Sequence, residues 1–544
     1  MADLMSQTNR LCGDASLSGW LISMPRSCIR RMRHVRPAWS ARACLWMMSA
    51  LLAVAVAAPA FAKEAWERDW IEVRSPHFVV VSALAEARTV ELVQELENFR
   101  AAAEMLTNIG RFEERIPTRI YVLPYAVPDL GFGGRQIGYF ESGMRANYAV
   151  VIPARDELDE ALKHEYVHFL VHNRDETTYP TWFDEGFAVV LQTLRARGTQ
   201  LEFGKPIAGS IDALSHGQWL PFGRVLEARG TADFSGEGTA MFYSQSWCLV
   251  HYLTIGRPDK DFAAENREYL RLSETGVAPV LAFEQAFGLK VAMLRPVVTN
   301  YARNLRYFQA TMKRPFPIAQ MTTSNVATDR IAAELGLLAL LRGNFAAAQR
   351  YYDAALAANP ANAMALVGTG DVHKNAKRFE QADPYYQKAI ALEPRNPLHE
   401  LDYAEYFVTL AEAQKDPEQA QTNLVEARRH FARSYKLDAY NAETLAMNGS
   451  TYLGAGEDHE KAVVSLEAAH ELVPSHPQIR LLLARAYVAA GQPDKARAQL
   501  RALLAWADAR NADAIRKELA ALENRAVSGS GETSNSASTT AAPH

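Results

Sequence analysis

Residues 164–186 read HEYVHFLVHNRDETTYPTWFDEG, and the opening HEYVH with the closing Glu185-Gly186 predicts a metal site. On a helix, side chains four positions apart lie one above the other, so His164 and His168 can aim two imidazole nitrogens at one point. Two ligands hold zinc weakly. A second helix beginning near Pro180, a residue suited to a first helical turn, supplies a third in Glu185. Two histidines and one carboxylate leave a tetrahedral ion with one position for water, the arrangement of catalytic rather than structural zinc. Glu165, beside the first ligand, is placed to take that water's proton. The competing interpretation is an amphipathic helix whose histidines are ordinary polar residues. His172 extends the ladder by one more turn, but at 1.5 Å of rise per residue it stands about 12 Å from His164, too far to share its ion.

The same segment resembles the gluzincin metallopeptidases, peptidase-MA-like families in which HExxH is followed by a W-x-x-E-G-x-A helix, here Trp182 to Ala188. The match is close over residues 164 to 188 and looser over about 70 to 300. It implies a zincin-like α+β fold, one Zn2+ held by His164, His168 and Glu185, and Glu165 as general base. It also implies that the strand Tyr148–Ile152, just ahead of the metal helix, lies beside the cleft, where an extended peptide can pair with its edge. Gly143–Asn147 lacks the glutamate with which related aminopeptidases hold a free amino group, which favours an endopeptidase. Gluzincins commonly place a Tyr or His well downstream of the third ligand to hydrogen-bond the oxyanion. Tyr243 is the candidate, because a phenol O–H can donate to developing negative charge; the alternative is an ordinary amphipathic tyrosine, and Tyr252 and His251 are weaker candidates on the same helix. A different HExxH family joined to helical repeats would carry its carboxylate in a Glu-x-x-x-Asp helix much farther along, which the Trp182–Ala188 segment fits less well.

At 544 residues the chain is too long for one core, and its apolar content of 49% marks it as globular. Residues 1–62 read as an export leader. Arg30, Arg31, Arg33, Arg36 and Arg42 precede an apolar run from Leu45 to Ala58, and Ala60-Phe61-Ala62 fits the small-x-small cleavage rule. A signal starting at Met1 is unusually long, which points to Met24 or Met32 as the start. The apolar run is shorter than the 20 or so residues that span a bilayer, so no transmembrane helix is expected in the mature chain. Removing the leader changes the net charge from −4 to −9, with 51 basic against 60 acidic residues. Such a chain has no electrostatic footprint for nucleic acid. Cys12, Cys28 and Cys44 leave with the leader, so Cys248 has no internal partner and reads as a buried core thiol. The expected location is periplasmic or secreted.

From Lys63 to Met312 the chain reads as the peptidase-like domain. Phe78–Val81 and Ile120–Leu123 are β-branched strand runs, and Leu92, Leu96, Phe99, Ala103 and Leu106 form one helical stripe between them. Together they predict a small strand-and-helix lobe ahead of the metal helix. Gly131-Phe132-Gly133-Gly134 lacks the Lys-Ser or Lys-Thr of a phosphate loop. Asp156 is a candidate cap for the metal helix, and Gly186 suggests a close helix crossing. Helices are expected from about Ala240 to Ile255, from Val280 to Phe287 and from Val291 to Tyr307.

Residues 313–327, with Pro315, Pro317 and Thr322-Thr323-Ser324-Asn325, read as a linker to an all-α array. Its period is 34 residues: Gly336 recurs as Gly370, Phe345 as Phe379, Ala348 as Ala382, Ala355 as Ala389 and Pro360 as Pro394. This is a tetratricopeptide (TPR) rhythm of four or five units over 328–525, lengthened around Lys415–Asn423 and closed by a capping helix near Ala512–Asn524. Residues 526–544 have the composition of a disordered tail. The resulting expectation is an exported zinc endopeptidase acting on a protein or peptide substrate, with the array recruiting that substrate or a protein partner. The alternative is an envelope scaffold or adaptor built on the array, with a structural or inactive metal site.

Overall fold

The computed structural model describes residues 64–107, 118–132, 138–152, 158–172, 179–454, 457–474, 476–506 and 513–522. The leader, the Asp156 cap, Gly133-Gly134 and the C-terminal tail lie outside these residues.

The N-terminal lobe is a six-stranded sheet built from β1 (Trp70–Arg74), β2 (Phe78–Ser82), helix α1 (Glu86–Thr107), β3 (Thr118–Val122), β4 (Gly138–Ser142) and β5 (Asn147–Val151). Helix α2 (Leu158–His172), which carries His164 and His168, and its partner α3 (Thr181–Gln192) follow. The strand order is β4-β5-β3-β2-β1-β9, the sixth strand β9 being Thr322–Val326, with β2, β3 and β5 parallel and β4, β1 and β9 antiparallel to their neighbours. Side chains alternate between faces as a pleated strand requires. Val80, Ile120, Val122, Ala149 and Val151 pack with α1 and α2, whereas Val81, Tyr121, Tyr148 and Val150 point to the opposite layer. Burial on both faces explains the unbroken β-branched runs. The expected α1 stripe is present, with Leu92, Leu96, Phe99 and Ala103 buried.

Tyr148–Ile152 was expected at the cleft edge. Instead β5 is an interior strand, hydrogen-bonded to β3 on one side and β4 on the other, and the edge belongs to β4. Val150 and Ala149 are fully buried, which suits an interior position.

The stretch after α3 forms a hairpin of β6 (Arg195–Arg197) and β7 (Gln200–Phe203), with Gly198 left-handed in the turn. Then come α4 (Ala208–His216), α5 (Phe222–Leu226), α6 (Glu237–Thr254), α7 (Phe262–Glu274), α8 (Pro279–Phe287), α9 (Val291–Ala302) and β8 (Phe308–Thr311). These helices enclose an aromatic core that includes Trp182, Phe242, Trp247, Tyr269 and Phe283. Helix α9 ends at Ala302 rather than Tyr307, because Phe308–Thr311 pairs with β7 in a second, three-stranded sheet. Cys248 is buried, as expected.

The expected linker contains β9 (Thr322–Val326), which takes the edge beside β1. A threonine-rich segment exposed on nearly every residue is suited to such an edge. Helix pairs follow: α10 (Thr328–Leu341) with α11 (Phe345–Ala358), α12 (Ala363–Asn375) with α13 (Phe379–Leu392), α14 (Pro397–Ala413) with α15 (Pro417–Leu437), α16 (Ala442–Ser450) with α17 (His459–Leu472), and α18 (Pro477–Ala489) with α19 (Pro493–Trp506). A last helical segment spans 513–522. Glycine sets the packing of the first pairs, since a Cβ on Gly336 or Gly368 would stand 2.5 or 2.1 Å from the Tyr352 ring.

The array does not hang from the first domain. Ile331, Leu335, Leu338, Tyr351 and Tyr352 of α10 and α11 complete the layer against Tyr121, Tyr148 and Val150 of the sheet. Buried Glu72 pairs with Arg330, and buried Glu334 accepts from Arg119 at 3.2 Å. The first repeat therefore covers the second face of the sheet.

Candidate metal centre

Helix α2 presents His164 and His168 one turn apart, and α3 packs against it with Glu185 facing them. The Nε2 atoms of the two histidines are 3.2 Å apart, and Glu185 Oε2 stands 3.4 Å from His164 Nε2 and 3.5 Å from His168 Nε2. Three ligand atoms bound at about 2.1 Å to one tetrahedral ion would be separated by about 3.4 Å. The triangle fits zinc. Glu185 Oε2 is buried without a hydrogen-bond donor, which a cation at the centre of the triangle would satisfy. Among the described residues this is the one group of His, Cys, Asp and Glu side chains close enough together to hold a metal ion.

Two further side chains, not anticipated from the sequence, hold the two imidazoles. His164 Nδ1 lies 3.1 Å from Gln192 Oε1, so an Nδ1–H donated there leaves Nε2 with a free lone pair. His168 Nδ1 lies 3.2 Å from Asp184 Oδ2. Signals for both exist in the sequence: Gln192 is two helical turns beyond Glu185, and Asp184 immediately precedes it.

The electrostatics favour a cation. Burial alone would raise the Glu185 carboxyl, but the His164 and His168 imidazoles beside it hold it down at about 2. Burial works against a charged His168, yet Asp184 and Glu185 raise its proton affinity well above that of a free imidazole. The same negative potential that retains a proton there stabilises a divalent ion in its place.

Glu165 follows His164 on α2 and is half-buried. Its charge reaches the Tyr243 hydroxyl: burial raises the phenol most, and the carboxylates of Glu185 and Glu165 raise it further. Tyr243, on α6, has its ring centroid 6.5 Å from that of His164, and Thr231, in the connection between α5 and α6, lies beside its hydroxyl. The weaker candidates are elsewhere. His251 is buried between the Gly204 carbonyl and the Tyr301 hydroxyl, 2.7 Å from each, and Tyr252 stacks edge-on against Tyr301. The His172 side chain lies outside the described residues.

Gly186 brings α6 to the site. A Cβ there would stand 2.5 Å from the Ser246 carbonyl oxygen and 2.7 Å from Val250 Cγ2, so α3 and α6 cross at backbone contact. On the other side of α2, Phe169 meets Phe140 of edge strand β4 at 6.3 Å. The outer side of β4 has no strand partner among the described residues.

Residues 334–397 and 455–519 match family models described as tetratricopeptide repeat. Similar solved structures include a thermophilic TPR protein of Thermus thermophilus, 24% identical, with 36% of this chain and 98% of that chain covered and a TM-score of 0.31. PilF of Pseudomonas aeruginosa is 20% identical over 36% of this chain and 89% of its own, with a TM-score of 0.30. YrrB, described as a TPR protein with an unusual peptide-binding site, is 20% identical over 34% and 90%, with a TM-score of 0.26. No curated protein matches the chain. The C-terminal part is a tetratricopeptide solenoid, a scaffold type that serves protein–protein interaction. No helix among the described residues is long and apolar enough to cross a membrane.

Proposed function

We propose that this chain is a TPR protein-binding scaffold whose N-terminal domain is an exported zinc-dependent endopeptidase of the gluzincin type. The observation that carries the reading is the triangle of His164, His168 and Glu185 atoms, sized for one ion and backed by Gln192 and Asp184. Zinc, when bound, supplies a Lewis acid that polarises a peptide carbonyl and lowers the pKa of water. Glu165 accepts the proton of the attacking water at its carboxylate and hands it to the nitrogen of the leaving amine. The Tyr243 hydroxyl, kept protonated by burial and the two nearby carboxylates, donates to the oxyanion. Edge strand β4 offers a place where an extended substrate could align.

The test uses the full mature chain. Metal analysis should find one zinc per chain, and Glu165→Gln should retain that zinc while losing cleavage of a peptide library. Cleavage by the pure variant at the parent rate would reject Glu165 as the base. A second reading, a scaffold with a structural or inactive metal site, is favoured by the comparisons, in which the matching family models are those of the repeats. It predicts that parent and variant alike cleave nothing, while protein binding by the array is unchanged in both.

A further inference from the structure

The inner face of the array is already occupied by the chain itself. Successive first helices, α10 with α12 and α12 with α14, pack on one another to an extent that the second helices of the pairs do not. The first helices therefore line the tighter, concave side. Three of them present carboxylates to one place: Asp371 on α12, Asp402 and Glu405 on α14, and Glu443 on α16. The array's own cation there is Lys374, 2.7 Å from Asp371 and 3.8 Å from Glu405.

Into this groove projects the turn between β4 and β5, whose ends are pinned by the Ser142–Asn147 pairing. Arg145 at its tip donates to Asp402 at 2.8 Å and to Glu443 at 2.7 Å, with Glu405 3.9 Å away. Met144 beside it packs against the apolar cluster of the last repeats. Asp402 is 7% exposed, so the guanidinium is met by a carboxylate largely withdrawn from water, and its fork matches two acceptors on separate helices. Asp371, Asp402 and Glu443 outnumber the cations Arg145 and Lys374, while burial, and then the Glu443 charge, push the Glu405 carboxyl up to about 8, so that it holds its proton near neutral pH. The hydrophobic neighbour, the two-acceptor grip and the surplus negative charge together describe a recognition surface with a ligand seated in it.

We propose that the concave face formed by α12, α14 and α16 is an arginine-reading surface whose resident occupant is the chain's own β4–β5 turn, and that an arginine-bearing segment of a partner protein engages it by displacing that turn. The inference stands apart from the metal chemistry. Its consequence for the site is mechanical, because β4 runs from this turn along α2 and its position is set at one end by the array.

A tethered segment competes at an effective concentration of about millimolar, so an external ligand of micromolar intrinsic affinity is suppressed by about a hundredfold or more. The probe is a synthetic peptide of residues 141–148, cyclised to hold its turn and labelled for fluorescence anisotropy. Full-length Arg145→Ala should bind it about a hundredfold more tightly than the parent, and a peptide with alanine in place of the arginine should bind neither. Adding Asp402→Asn and Glu443→Gln to Arg145→Ala should abolish binding. Saturating peptide on the parent should speed hydrogen exchange across 138–151. If Arg145→Ala does not fold, Arg145→Lys, which keeps the charge without the fork, should bind the peptide more tightly than the parent. Equal affinity of parent and open variant, or no binding to either, overturns the proposal.

Discussion

Replacing Gly186 with alanine tests the close helix crossing that brings Tyr243 beside His164 and Glu185. In open solvent the change would favour the helix by about 1 kcal/mol. Here the new Cβ would stand 2.5 Å from the Ser246 carbonyl oxygen, 2.7 Å from its carbon and 2.7 Å from Val250 Cγ2. Two of the three contacts are backbone atoms and cannot rotate away. Restoring ordinary contact requires α3 and α6 to separate by about 0.9 Å, and overpacking of this kind costs up to about 3 kcal/mol. The net loss is about 2 kcal/mol, or a Tm about 4–8 °C lower for a domain of this size. Because Glu185 is the preceding residue on α3, zinc affinity should fall as well. Gly209→Ala is the matched control, since that helical glycine has nothing within 4 Å of the added carbon, and it should be neutral or slightly stabilising. The assays are thermal unfolding of the zinc-free protein and competition for zinc against a chromophoric chelator. An unchanged Tm and unchanged affinity for Gly186→Ala would refute the backbone-contact crossing.

Asp184→Asn and Gln192→Ala should each weaken zinc about tenfold to a hundredfold while leaving the fold intact, measured by chelator competition and far-UV dichroism. His476 gives a pH dependence remote from the metal. Burial lowers it to about 4, so the folded array keeps it neutral where the unfolded chain, near 6.5, binds a proton. Its contribution to stability is complete above pH 6.5 and is lost as pH falls from 6.5 towards 4, by up to about 3 kcal/mol. Denaturant titrations across that range should show the loss, and His476→Gln should flatten it. Breaking the Glu334 contacts between the first repeat and the sheet with Glu334→Ala leaves Arg119 and Arg330 without their shared acceptor, and should cost about 2 kcal/mol in urea unfolding.

Much of the architecture is written locally. The 34-residue recurrence of small residues marks the repeats because each helix pair must leave room for a neighbour such as Tyr352, and this constraint repeats with every unit. The four-residue spacing of His164 and His168 marks one face of a helix, and the stripe from Leu92 to Ala103 marks another. What the sequence obscured were contacts between distant segments. The threonines of β9 look like linker composition until β1 offers them an open edge, and β5 looks like a cleft strand until β4 pairs outside it. Gln192 and Asp184 are ordinary helix residues until α3 lies against α2.

By itself, then, the order of residues determined the repeat period, the helix carrying two imidazoles and the identity of the carboxylate that could join them, because these depend on spacings within a few turns of chain. Only the tertiary structure decided that Glu185 closes to 3.4–3.5 Å from both rings, that the first repeat forms the second cover of the sheet, and that Arg145 sits in the array's acidic groove. Those outcomes come from burying both faces of one sheet and from pairing charges nearly 300 positions apart, and no local period encodes either.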